Sequence, residues 1–334
     1  MLTVFDTPPP NFTNIDVNDI LISHYKIKAT SKLLFSDRDQ NFLIKDSSGK
    51  KYILKISNPS ESMDYLKLQS QTTFFIQSND LDLRVPNLID DIIPFKKDGI
   101  IYFIRLLKFI EGEFLKDIIL NNNSYFKLGE FLGRIDISLQ KVDYKFKNSD
   151  FHWDVRSIDL TKSRLTFIDN ENDKKTIRYF LDAYRSNVEI NDLKLTKMFI
   201  HNDGNDHNIL IDKNGSFNGI IDFGDMVYSY RAAEPAICMA YVALVKGGSF
   251  SSLANILKGY HYKFPLNNIE LEAITYISLM RLCISVTMAA WRTKLFPSNK
   301  YLLISQERAW NYLREMRNED LELFSKRIVE YAKS

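Results

Sequence analysis

The residues best suited to chemistry lie between Phe199 and Tyr228. Asp203 stands five residues before Asn208, and Asp222-Phe223-Gly224-Asp225 follows fourteen residues after Asn208. An aspartate can orient an acceptor hydroxyl and take its proton, and an amide with a second carboxylate can hold metal over phosphates. Together these are the parts phosphoryl transfer needs. The segment around Asp203, rich in Gly, Asn and Asp, reads as a loop that continues neither neighbouring strand.

A turn must bring Asn208 and Asp222 together. The apolar runs Ile209–Ile211 and Phe217–Ile221 flank Asn214-Gly215, and Asn-Gly between such runs is a strong hairpin signal. With a two-residue loop, position 213 faces 216, so Asn208 falls opposite Ile221 with Asp222 as its diagonal neighbour. Cross-strand neighbours sit about 5 to 8 Å apart at Cβ. An amide and a carboxylate therefore converge at one end of the hairpin, an oxygen pair suited to a hard cation such as Mg²⁺.

The His201-x-Asp203-x-x-x-x-Asn208 block followed by Asp222-Phe223-Gly224-Asp225 resembles the aminoglycoside phosphotransferase and choline kinase superfamily of small-molecule kinases. Within it, Asn205-Asp206-His207-Asn208 and the run from Gly219 to Tyr228 look most like the hydroxylysine kinase branch. The resemblance runs from the proline leader, Pro8–Pro10, to Tyr301. It implies an α+β, protein-kinase-like fold with a small N-terminal antiparallel-sheet lobe and a larger, mainly helical C-terminal lobe. It also implies ATP or GTP as phosphoryl donor and Mg²⁺ as the metal, with Asp203 as catalytic base and Asn208 and Asp222 as metal ligands. The implied acceptor is an amino alcohol or hydroxy amino acid. Hydroxylysine is one candidate, with homoserine, choline, ethanolamine and aminoglycosides behind it. One departure stands out: the family usually has glycine where this chain has Asn202. Asparagine tolerates left-handed backbone better than most residues, which limits the strain.

The composition sets wider bounds. A chain of 334 residues exceeds one ordinary core, so two lobes are expected. Hydrophobic residues make up 45% and charged residues 26%, the profile of a soluble globular protein. A net charge of +2 without a basic stripe argues against nucleic acid as a partner. Cys238 and Cys283 both lie in apolar runs, which suggests buried thiols and a reducing compartment. No signal peptide is recognisable, and no uninterrupted apolar run reaches the roughly 18 residues that span a bilayer. A cytoplasmic protein with no membrane partner is the expectation.

In the first lobe, residues 1–110, Asp16–Tyr25 reads as a helix, and Leu33–Phe35, Phe42–Ile44 and Tyr52–Ile56 as strands joined by polar turns. The resemblance makes the first turn a cover for the nucleotide phosphates, with Ser36, Arg38, Gln40 and Asn41 as nucleotide-binding residues although it has no glycine. It makes Lys55 the residue that grips the phosphates, held by an acid on the helix expected over Glu61–Phe75. Gln69 stands near the expected position of that acid, and Glu61 and Asp64 lie near the helix start. The strand Ile100–Leu107 then leads to Gly112, a suitable junction residue.

In the second lobe, residues 111–334, apolar spacings of three and four predict helices from Phe114 onward, including Leu115–Ile119 and Phe126–Leu139. Phe151–Asp154 reads as a loop and Ala236–Val245 as a helix with Pro235 in its first turn. Glu234 is either a charge near that helix N-terminus or a partner for an acceptor amine, a role also open to Asp225. The helix Glu270–Phe296 is apolar nearly all round yet carries Ser278, Arg281, Ser285 and Arg292 near one face. Arginines there suit internal salt bridges or an acceptor carboxylate, so Arg281 and Arg292 complete the candidate substrate residues. Trp291 and Trp310 read as core aromatics. A non-catalytic nucleotide-binding module on the same fold is the main competing reading. A protein kinase is disfavoured because no Ala-Pro-Glu segment follows Asp222.

Overall fold

Thr13 and Asp16 form a reciprocal capping box that starts the first helix, two residues earlier than expected. The computed structural model describes residues 3–142, 151–245, 248–297 and 306–334. Tyr301, where the resemblance ends, lies outside them, as do Met1 and Leu2. The chain divides into two units, Met1–Glu111 and Gly112–Ser334.

The first unit comprises α1 (Asn14–Ser23), β1 (Ala29–Leu34), β2 (Gln40–Asp46), β3 (Lys51–Ile56), α2 (Met63–Asn79), β4 (Ile93–Lys97) and β5 (Ile100–Lys108). Its five strands form one antiparallel sheet in the order β1-β2-β3-β5-β4. Side chains alternate across such a sheet. Phe42, Ile44, Leu54, Ile56, Ile104 and Leu106 bury one face against Phe12 and the α1 residues Val17, Ile20 and Leu21. Each such side chain contributes about 1.5 to 3 kcal/mol when fully buried. The alternation turns Lys55 and its cross-strand partner Arg105 to the other face. The sequence reading missed β4. Its signal was Asp98-Gly99, whose φ values of 51° and 81° are those of a tight hairpin turn. Phe35 is not in a strand and is 70% exposed.

The second unit comprises β6 (Glu113–Phe114), α3 (Asn122–Leu139), α4 (Ile158–Ser163), α5 (Glu171–Asn187), β7 (Lys197–Ile200), β8 (Ile209–Ile211), β9 (Phe217–Ile220) and β10 (Val227–Tyr230). It continues with α6 (Ala233–Ala243), α7 (Phe250–Lys263), α8 (Asn268–Leu295), α9 (Gln306–Met316) and α10 (Leu321–Lys333). Strands β6, β8 and β9 form one small sheet, and β7 pairs with β10 in another. Residues 115–119 are not an α-helix. A single 3₁₀ turn ends at Asp117, Ile118 is extended, and Asn121 caps the start of α3.

Helices α3 and α7 pack very closely, because a Cβ on Gly129 would collide with the backbone of Ile256 and one on Gly259 with that of Phe126. Helix α8 packs against α5, α6, α9 and α10. By length and composition it matches a membrane span, but 94% of its most apolar stretch is buried inside the fold. The helix is thus a core element, as its all-round apolar character implied, and Cys283 and Cys238 are buried free thiols as expected. Trp291 and Trp310 are only half-buried and so are not core residues. Trp291 stacks against His152 at 5.4 Å and lies under Arg164 at 4.8 Å.

Candidate active site

The hairpin of β8 and β9 sets the site in the second unit. Ile209 pairs with Ile220 and Leu210 with Gly219, and Ile221 donates its N–H to Asn208 O at 2.9 Å, so Asn208 lies opposite Ile221 as expected. The turn itself differs. Asp212 faces Ser216 across a three-residue loop with Gly215 at φ 77°, and the ladder shifts between Leu210 and Ile211. Asp212 Oδ1 accepts the N–H groups of Asn214 and Ser216, which favours the longer loop. The shift near Asn218 absorbs the extra residue and restores the register at the chemically important end.

Asp203 sits in the loop before β8 and is held by three donors. Asn205 Nδ2 and Arg281 Nη2 donate to Oδ1 at 2.9 and 3.2 Å, and Asn208 Nδ2 donates to Oδ2 at 2.7 Å. An ionised carboxylate has about four acceptor positions, so one position on Oδ2 is left. Burial first, then the neighbouring Asp225, raises the Asp203 carboxyl well above its ordinary range, while Arg281 opposes that shift.

Two residues beside the base adopt left-handed backbone, Asn202 at φ 65° and Asp222 at φ 63°. Both types tolerate that region better than most side chains, which explains asparagine at position 202. Asn202 Nδ2 also donates to Asp225 O at 3.0 Å, tying the two loops together. His201 is buried, and burial lowers its pKa to about 4, so it is neutral. Its Nε2 donates to Ile221 O at 3.0 Å while Nδ1 accepts the Asp203 N–H at 3.2 Å. The ring packs edge-on against Phe223 at 4.7 Å. His201 is thus a brace between the loop and the hairpin.

Oxygen ligands for a metal are available here. Because Asn208 Nδ2 donates to both Oδ2 and the carbonyl of Asp203, the amide oxygen Oδ1 is its remaining polar atom. Asp222 caps the 3₁₀ turn Phe223–Asp225, with Oδ1 accepting the Gly224 N–H at 3.3 Å. Among the described residues no three His, Cys, Asp or Glu side chains cluster as a metal cage. One amide and one carboxylate instead fit Mg²⁺, which usually takes one or two carboxylates and completes its shell with phosphates and water.

The acceptor candidates divide. Asp225 is buried close enough to Asp203 to raise its pKa. Glu234 is 0% exposed, and its Oε2 accepts the Asn202 N–H at 2.9 Å. It therefore anchors the loop, the structural one of the two roles the sequence left open. Arg281 is likewise engaged internally, by Asp203, which matches the salt-bridge alternative among the two roles expected for it. Arg292 lies about 16 Å farther along α8. It is 2% exposed and stacks on Phe296 at 5.4 Å, so the two arginines occupy separate environments.

Burial raises the Glu234 carboxyl above its ordinary 4.5, partly offset by the Asn202 and His201 N–H groups. A raised folded pKa means the folded protein holds this proton more tightly than the unfolded chain does. Its contribution to stability is therefore complete below the ordinary glutamate value and is lost as pH rises through the folded value. In thermal unfolding from pH 5 to 8, the parent should lose stability relative to Glu234→Gln by up to about 1.4 kcal/mol per pH unit. Parallel curves would show that Glu234 does not titrate abnormally.

In the first unit, described by itself, Lys55 is 8% exposed in β3. Its Nζ pairs with Asp39 Oδ2 at 3.2 Å, and Asp39 Oδ1 accepts the Asn58 N–H at 2.9 Å. The acid expected from α2 thus comes from the β1–β2 turn. Gln69 of α2 instead accepts from Arg105 Nη1 at 2.8 Å, and Arg105 is the cross-strand neighbour of Lys55. Glu61 is half-buried just before α2, and burial together with Asp39 raises its pKa. Gln40, expected at the nucleotide, is engaged on both amide atoms by the Phe12 backbone at 2.7 and 2.9 Å. Arg38 stacks on Phe5 at 5.0 Å, Ser36 is half-buried in the turn, and Asn41 lies opposite Lys55 in register. The leader thus braces a turn that has no glycine.

Comparison with known proteins bears on the family and the fold. The profile of the phosphotransferase enzyme family (APH) matches residues 33–266. Hydroxylysine kinase from Mus musculus is 24% identical over 337 residues, spanning 92% of this chain and 90% of the relative. The Xenopus laevis hydroxylysine kinase is 26% identical over 345 residues, spanning 94% and 92%. Among solved structures, a microcompartment-associated aminopropanol kinase superposes with a TM-score of 0.73 at 12% identity, covering 92% of this chain and 99% of the other. An amicoumacin kinase in complex with AMP-PNP and Ca²⁺ superposes with a TM-score of 0.68 at 15% identity, covering 88% and 91%.

Proposed function

The chain belongs to the phosphotransferase enzyme family and is a small-molecule kinase that phosphorylates an alcohol, and on that premise we propose that it transfers the γ-phosphoryl group of ATP or GTP to the side-chain hydroxyl of an amine-bearing acceptor such as hydroxylysine. The observation that carries this reading is the Asp203 carboxylate, fixed by three donors with one acceptor position left on Oδ2. That position suits an acceptor O–H, which Asp203 orients and deprotonates as the oxygen attacks the γ-phosphorus. Asn208 and Asp222 would hold Mg²⁺, whose bound charge offsets that of the phosphates. Positioning and charge neutralisation then supply most of the rate.

The acceptor's amine is supported by charge balance. Asp203, Asp222 and Asp225 share one neighbourhood, and Arg281 is the cation that offsets them at Asp203. A cationic amine reinforces that balance, and Asp225 is its proposed partner. The relatives described as hydroxylysine kinases support hydroxylysine as the leading acceptor. A cytoplasmic setting, where the nucleotide donor is available, completes the proposal.

Lys55 is proposed to bind the donor phosphates, with Asp39 holding its ammonium. Asp39→Asn should raise the nucleotide KM about ten-fold while leaving the acceptor KM alone, the lower end of what a hydrogen bond to a charged group is worth. An unchanged nucleotide KM would remove the pair from nucleotide binding. The acceptor is tested by initial rates with Mg²⁺ and ATP or GTP against hydroxylysine, homoserine, ethanolamine, choline and an aminoglycoside. The expected result is the highest kcat/KM with hydroxylysine and little with choline, which has no amine N–H. Preference for choline would overturn the acceptor assignment.

A further inference from the structure

A guanidinium removed from water needs partners for its charge and its donors. Arg281, 1% exposed in α8, has both. Its Nη1 donates to Trp153 O at 2.9 Å, its Nε to the Tyr241 hydroxyl at 3.2 Å, and its Nη2 to Asp203 Oδ1 at 3.2 Å. Aromatic rings flank it as well, with Cζ 4.5 Å from the Trp153 ring centroid and 5.6 Å from that of Tyr241. Stacking and a rigid donor fork are properties of arginine that lysine lacks. Trp153 O also accepts from Asn202 Nδ2 at 3.4 Å, so one carbonyl joins the arginine to the loop that carries Asp203.

We propose that Arg281, bracketed by Trp153 and Tyr241, is a positioning residue that fixes the Asp203 carboxylate so that Oδ2 is presented to the acceptor hydroxyl. The inference rests on Asp203 being the base and assigns Arg281 to orienting that base, not to gripping the acceptor. A side chain held at Nε, at Nη1 and by its flanking rings does not swing out to follow a substrate, and the end of its fork meets Oδ1. Asn208, holding Oδ2 from the hairpin side, completes the clamp.

Steady-state kinetics on the full chain, with calorimetric nucleotide binding as a check of folding, test the proposal. Arg281→Met should lower kcat about 100-fold, the effect of a misplaced catalytic group, with the KM values for acceptor and nucleotide nearly unchanged. Arg281→Lys should not restore kcat, because lysine has the charge without the fork. A raised acceptor KM at parent kcat would mark a substrate contact and overturn the proposal, as would parent kcat in the lysine variant. If Arg281→Met does not bind nucleotide, Tyr241→Phe decides. It removes only the acceptor of the Nε hydrogen bond and should lower kcat about 3- to 10-fold, roughly the loss of one ordinary hydrogen bond, and parent kcat there overturns the proposal. Turnover retained by Asp203→Asn removes the base assignment itself. An inactive Asp203→Asn beside a fully active Arg281→Met overturns only the role of Arg281.

Discussion

Asp203→Asn is expected to abolish phosphoryl transfer while nucleotide binding stays close to that of the parent. The substitution keeps the size of the side chain but removes the basic oxygen proposed to face the acceptor. General-base catalysis of this kind contributes on the order of 10² to 10⁴-fold. The effect should fall at the upper end, because the asparagine amide would direct a donor toward Asn208 Nδ2 or Arg281 Nη2, both of which donate to Asp203. Turnover within a few-fold of the parent would show that Asp203 is not the base. Binding measured by calorimetry with a non-hydrolysable nucleotide separates that outcome from a loss of fold.

The second large effect concerns Asp222. Removing its carboxylate should abolish the gain in nucleotide affinity expected from Mg²⁺, because the other proposed ligand, the Asn208 amide oxygen, is neutral. Asp222→Asn is the cleaner variant. The residue sits at φ 63°, and asparagine tolerates that conformation, whereas alanine would add backbone strain of about 1 to 2 kcal/mol. Nucleotide titrations with and without Mg²⁺ should converge in this variant while its melting temperature stays near that of the parent. Normal Mg²⁺ enhancement would exclude Asp222 as a ligand.

Much of this site could be read in the sequence because it rests on local geometry. Asn208 and Asp222 are brought together by a single turn, and the register at the site end needed only the alternation of two short strands. The loop length was misjudged because an Asn-Gly pair suits both a two-residue turn and a longer loop ending in left-handed glycine, and Asp212 decides between them. Asn202 also followed from its type, since its position demands left-handed backbone.

What escaped the sequence was pairing across long separations. Arg281 and Asp203 are 78 residues apart, Glu234 and Asn202 are 32, and Gln40 and Phe12 are 28. No periodicity encodes such contacts. Each polar residue on a buried face announced that it needed a partner, but not which one. Lys55 shows the limit most clearly: α2 offered Gln69 near the expected place, while the acid came from the β1–β2 turn.

The most direct test of the account is to mix the protein with MgATP and hydroxylysine and follow phosphorus by NMR. The expected result is a new phosphomonoester resonance growing in step with nucleoside diphosphate, absent when Asp203→Asn replaces the parent. Release of inorganic phosphate alone, or no loss of triphosphate with any amine-bearing alcohol and either ATP or GTP, would contradict it.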